Sequence, residues 1–598
     1  MRRWKFAALV AAAALLTGCF ARGRFDQPQT DGFAPAGTVL HDGTPASVGL
    51  DPAPIDAALA TVHACTEVCA LSQAGKPMVA GAVTLFVHDG VIVTRDAYGY
   101  ALRYSDANFT ELPPAQRVPM RTDTIFDMAS VTKLFTTIIV MQLAEQGVLD
   151  VDAPVAPYLP EFGVNGKAGI TIKQMLTHTS GLVPTLELWR DYPNKAARIK
   201  AVMDVTPINP PGTAYVYSDL NLITLGVLAE RMTGKPLDVL VRERVTQPLH
   251  MVDTGYNPSP ALIGRIAATE DVEYTNPPRG IVRGQVHDEN ANSFGGVAGH
   301  AGIFSTADDM AIIGQMLLNG GIYDGHRILS EATVKEMLVN YNTQFPQDSH
   351  GLGFELNQRW YMDALSGPRT AGHTGFTGPD IVLDFASRSI VVFMSNRIHP
   401  TRDVGSNSGL RRAVAHGLGL ALAVPHRHDN EEWYADIPEA STASLQVAQP
   451  LAARRGSLVV DFDAFVDVDA VDSLTLEVSV DGGATWRAVP VAATGPGAPQ
   501  GTVTTLSASG HRSWWQVHAA LADIGPGRPV RLRWRYSTGA KSLFGRARLE
   551  DPNAPMRAGV GRGVFLDGIT VSDNLGVLLD GGSHPEAFSP TSFRLTTR

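Results

Sequence analysis

The sequence predicts two folded parts of different class, an α/β part over residues 46–428 and an all-β sandwich over residues 446–598. Two periodicities carry this. In the first part, Ser130 to Gly147 reads as one helix rich in Leu134, Phe135, Ile138, Ile139, Val140, Met141 and Leu143, while Ser389 to Met394 is an apolar run of strand length. Helical and strand patterns alternate along this part. In the second, Leu474, Leu476, Val478 and Val480 alternate with Thr475, Glu477 and Ser479, and Val530, Leu532, Trp534 and Tyr536 alternate with Arg531, Arg533 and Arg535. A period of two belongs to half-buried strands.

From the N-terminus, Arg2, Arg3 and Lys5 precede the apolar stretch Phe6 to Leu16, the charged and hydrophobic regions of a secretory signal. The stretch falls short of the roughly 20 apolar residues a spanning helix needs. Leu16-Thr17-Gly18-Cys19 resembles the bacterial lipobox, so residues 1–18 read as a lipoprotein signal peptide and Cys19 as the lipidated residue that anchors the exported chain to a membrane. Phe20, where an aspartate is absent, points by Gram-negative sorting rules to the outer membrane, facing the periplasm. Residues 19–45 read as a flexible tether, being rich in Gly, Pro, Asp and Thr without hydrophobic periodicity.

Ile55 to about Val68 reads as a helix bearing Cys65 and Cys69. Either the helix ends between them and they are bridged, or both are small buried apolar side chains. The polar stretch 429–445 reads as a linker. Beyond it, Leu458 to Phe465 and Val564 to Ile569 add strands, giving a sandwich similar to the jelly-roll modules of exported bacterial enzymes. Ser479-Val480-Asp481-Gly482-Gly483-Ala484-Thr485-Trp486 resembles the Asp-box hairpin of sialidases, and a single copy is a turn motif. Trp514 and Trp515 have two readings, a platform for a glycan or core side chains. The arginines at 531, 533 and 535 read as a solvated sheet face.

With 44% hydrophobic and 18% charged residues the chain is globular and long enough for several domains. Its 49 basic against 59 acidic residues, a net charge of −10, exclude nucleic acid as an expected partner. The sequence contains no G-x-S-x-G elbow, H-E-x-x-H helix, C-x-x-C pair or phosphate loop, leaving hydrolysis without metal or cofactor. The scattered His178, His287, His300, His426 and His428 are read as hydrogen-bonded structural groups.

The chemistry is carried by Ser130-Val131-Thr132-Lys133, the single S-x-x-K in the chain, placed at a helix start. Residues three apart share a helix face, so Lys133 can take the Ser130 proton. To do so from a reference pKa of about 10.4 it needs a downward shift of roughly 3 units, which an apolar helix can supply by burial. The helix N-terminus offers unpaired N–H groups to an oxyanion. Tyr217-Ser218-Asp219 opens the apolar run Leu220 to Ala229, placing a tyrosine where it can reach a cleft. His373-Thr374-Gly375 lies in a glycine-rich stretch ahead of a strand, where substrate can approach the backbone.

In this order and at these separations, the three motifs resemble those of the penicillin-recognising serine hydrolases: class C β-lactamases, D-Ala-D-Ala carboxypeptidases and family VIII-type esterases. The resemblance covers roughly residues 46 to 425, and includes Leu176 to Leu182, Gly295 to Gly302 and Ser395 to Pro400. The last two, with Val286-His287-Asp288-Glu289-Asn290, look most like the type-4B penicillin-binding protein branch. The resemblance implies a β-lactamase/transpeptidase-like domain with an antiparallel sheet and a helical subdomain.

It also implies roles. Ser130 is the acylated nucleophile, Lys133 its base and Tyr217 the second proton-transfer group. The backbone N–H groups of Ser130 and Phe376 form the oxyanion hole, and Asp219, His373, Thr374 and Gly375 contact substrate. Asp219 stands where asparagine is common, and either holds Lys133 as a cation or orients it. His373 replaces a lysine, which weakens attraction for a substrate carboxylate and favours esters. Three functions follow: a D-Ala-D-Ala carboxypeptidase-like hydrolase of cell-wall peptides, an esterase or β-lactamase with the same machinery, and an inactive wall-binding lipoprotein.

Overall fold

A computed structural model describes residues 33–597 except 73–74, 346, 425, 429–430, 439, 469–470, 508–511, 540–561 and 583. The signal peptide and Cys19 therefore lie outside the described residues. The first part is built on a sheet whose strands run in the order 41–42, 91–102, 81–88, 389–395, 380–384, 370–374 and 355–356. The central pairs, from 91–102 across to 355–356, are antiparallel. Strands Gly81–His88 and Ser389–Ser395 are buried along their whole length, as their near-continuous apolar content requires. Helices Pro52–Ala64 and Ser408–Ala421 pack together on one face, and Ala307–Leu318 packs against the central strands. Helices Thr132–Glu145 and Asp219–Thr233 form the helical subdomain, and the catalytic centre lies where it meets the sheet.

Two expected boundaries move. The end of the tether is part of the fold: the Ala34 N–H donates to the Leu318 carbonyl at 2.7 Å, and His41–Asp42 pairs in parallel with Val91 and Ile92. The expected linker contributes strands Glu432–Ala435 and Thr442–Val447 to the two sheets that follow. Trp433 and Ala435 of the first strand and Ala443, Leu445 and Val447 of the second are buried. The helix bearing Cys65 ends at Ala64, and Cys65 and Cys69 form a disulfide.

The sandwich packs a sheet centred on Leu458–Asp467, Trp514–Leu521 and Gly563–Asp573 against one centred on Ser473–Ser479 and Arg531–Ser537, around a shared apolar core. Trp514 and Trp515 are 3% and 0% exposed, so neither offers a platform to sugar, and the core reading holds. The arginine stripe is engaged within the sheet, since Arg533 and Arg535 both donate to Glu477 and Arg533 covers the Trp486 ring at 4.1 Å.

The two parts are joined by more than a chain crossing. Phe465, Trp514 and Phe565 of the sandwich belong to the same apolar cluster as Val62, Tyr361, Leu410 and Val414 of the hydrolase. Buried Arg512 donates to the Asp384 carboxylate, Nη1 to Oδ2 at 2.8 Å, and Asp384 in turn accepts from Thr370 Oγ1 at 3.1 Å. Thr370 begins the strand that ends at His373 and Thr374.

Candidate active site

Ser130 sits in a tight turn, Ala129–Val131, immediately before the helix Thr132–Glu145, one step earlier than the sequence pattern suggested. Ala129 has φ of +44°, a left-handed conformation costly for a residue with a Cβ. The turn is held by Asp127, whose Oδ1 accepts the Ala129 N–H at 2.8 Å. Lys133 follows one turn on, and its Nζ lies 2.9 Å from Ser130 Oγ. The same ammonium donates to the His300 carbonyl at 3.2 Å and lies 2.8 Å from Asp219 Oδ1.

Close backbone packing delivers that carbonyl. A Cβ on Gly299 would lie 2.0 Å from the Leu222 carbonyl oxygen, so only glycine lets the segment reach the helix Asp219–Thr233. Thr136 Oγ1 then fastens it by donating to the Gly299 carbonyl at 2.8 Å.

Tyr217 precedes the Ser218 cap of that helix, with its ring 4.9 Å from Lys133 Nζ and its hydroxyl hydrogen-bonded to Lys133 and Ser130. Burial holds the Tyr217 phenol above its ordinary range, against the opposing pull of the Lys133 charge. His178, read above as a structural group, lies beneath it with ring centroids 4.4 Å apart. Its Nδ1 accepts the Ser218 N–H at 3.1 Å and lies 3.2 Å from Asn221 Nδ2, so it carries no proton.

Lys133 reverses one expectation. It is 1% exposed, and burial alone pushes its ammonium toward the neutral form; the charge of Asp219 and the contact with Tyr217 outweigh burial and raise its pKa above the usual lysine range. Asp219 thus acts on Lys133, and its described ion pair is with that side chain. Of the two readings of Asp219, the ion pair at 2.8 Å and the raised lysine pKa match a carboxylate that holds Lys133 as a cation.

The strand Thr370–Thr374 brings His373, Thr374 and Gly375 to the other wall. A Cβ on Gly375 would lie 2.5 Å from the Met128 carbonyl oxygen, so glycine lets the strand end close on the nucleophile turn. His373 is 1% exposed, with Nδ1 2.8 Å from the Thr374 carbonyl, presenting an edge to the cleft. Phe376 projects beyond the strand and is 46% exposed. A cavity of about 480 Å³ joins these groups, lined by Ser130, Tyr217, His373, Thr374, Gly375 and Phe376, and bounded further out by Trp360, Arg397 and Arg402.

The other histidines are engaged by carboxylates: His287 Nε2 lies 2.8 Å from Glu270, and His300 Nε2 2.9 Å from Asp288. Glu289 lies beside the first pair and Asp219 beside the second, and the acids there are matched by cations, Arg402 on Glu270 and Glu289 and Lys133 on Asp219. A serine, a lysine and a tyrosine in mutual contact at the base of a cleft can carry out acyl transfer.

Comparison with known proteins agrees. Residues 70–416 match the family described as “Beta-lactamase”. The chain is 35% identical over 350 residues to the “N-acetylmuramyl-L-alanine amidase” of Bacillus subtilis (strain 168), covering 53% of this chain and 77% of that protein. It is 34% identical over 363 residues to the “Putative D-alanyl-D-alanine carboxypeptidase” of Escherichia coli (strain K12), covering 54% and 80%. Among solved structures, a penicillin-binding protein homolog from Caulobacter crescentus aligns with 62% of this chain and 99% of its own, at 21% identity and a TM-score of 0.47. The curated relatives and the family match span the hydrolase part and its motifs, and the chain belongs to the beta-lactamase family of serine hydrolases.

Proposed function

We propose that this enzyme hydrolyses cell-wall peptides in the manner of a D-Ala-D-Ala carboxypeptidase, through an acyl-enzyme on Ser130. The observation that carries the reading is the three-way contact of Ser130, Lys133 and Tyr217 opening into the cleft. The names of the curated relatives, an amidase and a carboxypeptidase of wall peptides, supply the substrate class. The lipobox at Cys19 supports a place outside the cytoplasm, tethered to a membrane.

Ser130 Oγ attacks the peptide carbonyl, and the oxyanion is received by the Ser130 and Phe376 N–H groups. The serine proton passes to Lys133 Nζ in its neutral form, the form that the neighbouring Asp219 carboxylate makes scarce. Tyr217, neutral and hydrogen-bonded to both, gives its proton to the departing amine and takes one back from Lys133. Lys133 is then neutral again and ready to pass a proton from water to Ser130 Oγ in the second half of the cycle. Water then attacks the ester carbonyl, releasing the shortened peptide and restoring the Ser130 hydroxyl.

Incubation of the mature protein with penicillin and measurement of intact mass tests this. An adduct mapped to Ser130 and missing in Ser130→Ala, with D-alanine released from a D-Ala-D-Ala peptide, is the expected result. A folded enzyme that forms no adduct and releases no D-alanine overturns it. The esterase reading is favoured by one observation, the buried His373 where a lysine would offer a fixed charge to a carboxylate. Turnover of short-chain esters without peptide release would select it. The inactive reading fails if either substrate is turned over.

A further inference from the structure

The segment Val286 to Asn290 touches both walls of the catalytic centre. His287, 3% exposed, donates its backbone N–H to Asp127 Oδ2 at 2.6 Å. The other oxygen of that carboxylate holds Ala129, the residue before the nucleophile. The His287 imidazole lies nearly parallel to the Phe376 ring, with centroids 5.9 Å and planes 24° apart. Its Nε2 is fixed by Glu270, which is itself gripped by Arg402, and the Arg402 guanidinium comes back to the Phe376 ring at 5.5 Å.

We propose that His287 is a positioning residue that fixes the Phe376 N–H relative to the Ser130 turn and so sets the width of the oxyanion hole. The proposal rests on the Ser130 acyl-enzyme reading. Phe376 lies beyond the last ladder residue, Thr374, in a turn closed by the Gly375 N–H on the Pro379 carbonyl at 2.7 Å, with Thr377 Oγ1 tied to the Asp127 carbonyl at 2.7 Å. Those bonds hold the turn as a unit. The Phe376 ring, clamped between His287, Arg402 and Arg397, fixes its rotation. A donor must be placed within about 0.5 Å to act, and one donor is worth roughly 100-fold or more in kcat. Because His287 bonds Asp127 through its backbone and Phe376 through its ring, one residue ties the two donors together.

Phenylboronic acid is the probe. Ser130 Oγ adds to the trigonal boron, the serine proton passes to the neighbouring base, and the tetrahedral adduct places a boron hydroxyl in the oxyanion hole. Inhibition of the wild type that vanishes in Ser130→Ala tests the nucleophile by itself; no wild-type inhibition overturns that reading and this proposal with it. Given inhibition, His287→Ala and Phe376→Ala should each raise Ki about tenfold, and the double variant should lose no more than either alone. His287→Phe, which keeps a ring against Phe376, should stay within about threefold of wild type. If His287→Ala fails to fold, His287→Gln, which loses the ring and keeps a polar group for Glu270, takes its place. Additive losses in the double variant, or an unchanged Ki in a folded His287→Ala or His287→Gln, overturn the proposal.

Discussion

Replacing Asp219 by asparagine keeps the shape of the side chain and removes the charge that stands 2.8 Å from Lys133 Nζ. At that distance and an effective dielectric of about 20, the attraction is on the order of 6 kcal/mol. The Asp219 side chain is 24% exposed, and solvent screening brings the figure to roughly 3 kcal/mol, about 2 pH units. The sign follows from Lys133, whose pKa is raised: its neutral form is populated only as pH climbs toward that raised value, so losing Asp219 lets it appear at lower pH. The rising limb of kcat/KM for a chromogenic ester, which that raised pKa puts at the alkaline end of a profile recorded from about pH 7 to pH 11, should move down by about 2 units in Asp219→Asn. A limb within about half a unit of wild type would refute control of Lys133 by Asp219, and a lower rate at every pH with the limb unmoved would leave Asp219 an orienting group.

Three further outcomes follow from buried contacts. Arg512→Ala leaves Asp384 as an uncompensated buried carboxylate and should cost about 3–5 kcal/mol in a denaturant titration; unaltered stability would mean the two parts are not coupled through this pair. Glu270 is held at a pKa of about 2, with burial opposing and the bonds from His287 and Arg402 prevailing, so its stabilisation is full above about 4.5 and fades as pH falls through about 2. Glu270→Gln should therefore be less stable by on the order of 3 kcal/mol at pH 7, with the gap to wild type closing in acid. Gly375→Ala should lower kcat at least tenfold in a folded protein, because its Cβ meets the Met128 carbonyl oxygen at 2.5 Å; wild-type turnover would show that the strand end can retreat.

What could be read in the sequence followed from local spacing. Ser130 and Lys133 are three residues apart on one face, and their contact at 2.9 Å follows from helical geometry. The alternation in 474–480 and 530–536 became paired strands because a period of two has one structural meaning. Long-range placement escaped. The charge state of Lys133 depends on a carboxylate 86 residues further along the chain (219 − 133); the family resemblance set Asp219 beside it with two readings, and no periodicity chose between them. His287 and His178 looked like scattered histidines because their partners, Phe376 and Tyr217, come from other segments. The expected linker hid two strands, since Glu432–Ala435 is too short to show a period and the acidic residues around it, Glu431 and Asp436 among them, read as a polar boundary.

The seam between the two parts has a bearing on kinship within the family. The helix Ser408–Ala421 offers Leu410, Val414 and Leu418 to a cluster that Phe465, Trp514 and Phe565 complete from the sandwich. That helix packs chiefly on Pro52–Ala64 and other hydrolase elements, so what is particular to the seam is polar: Asp384 and Arg359 meet Arg512 and Asp467 of the sandwich. The chemical character of those two positions therefore serves as a marker of inheritance: a chain that buries an acid at 384 and sets a base at 359 carries the β module as an integral part of its fold.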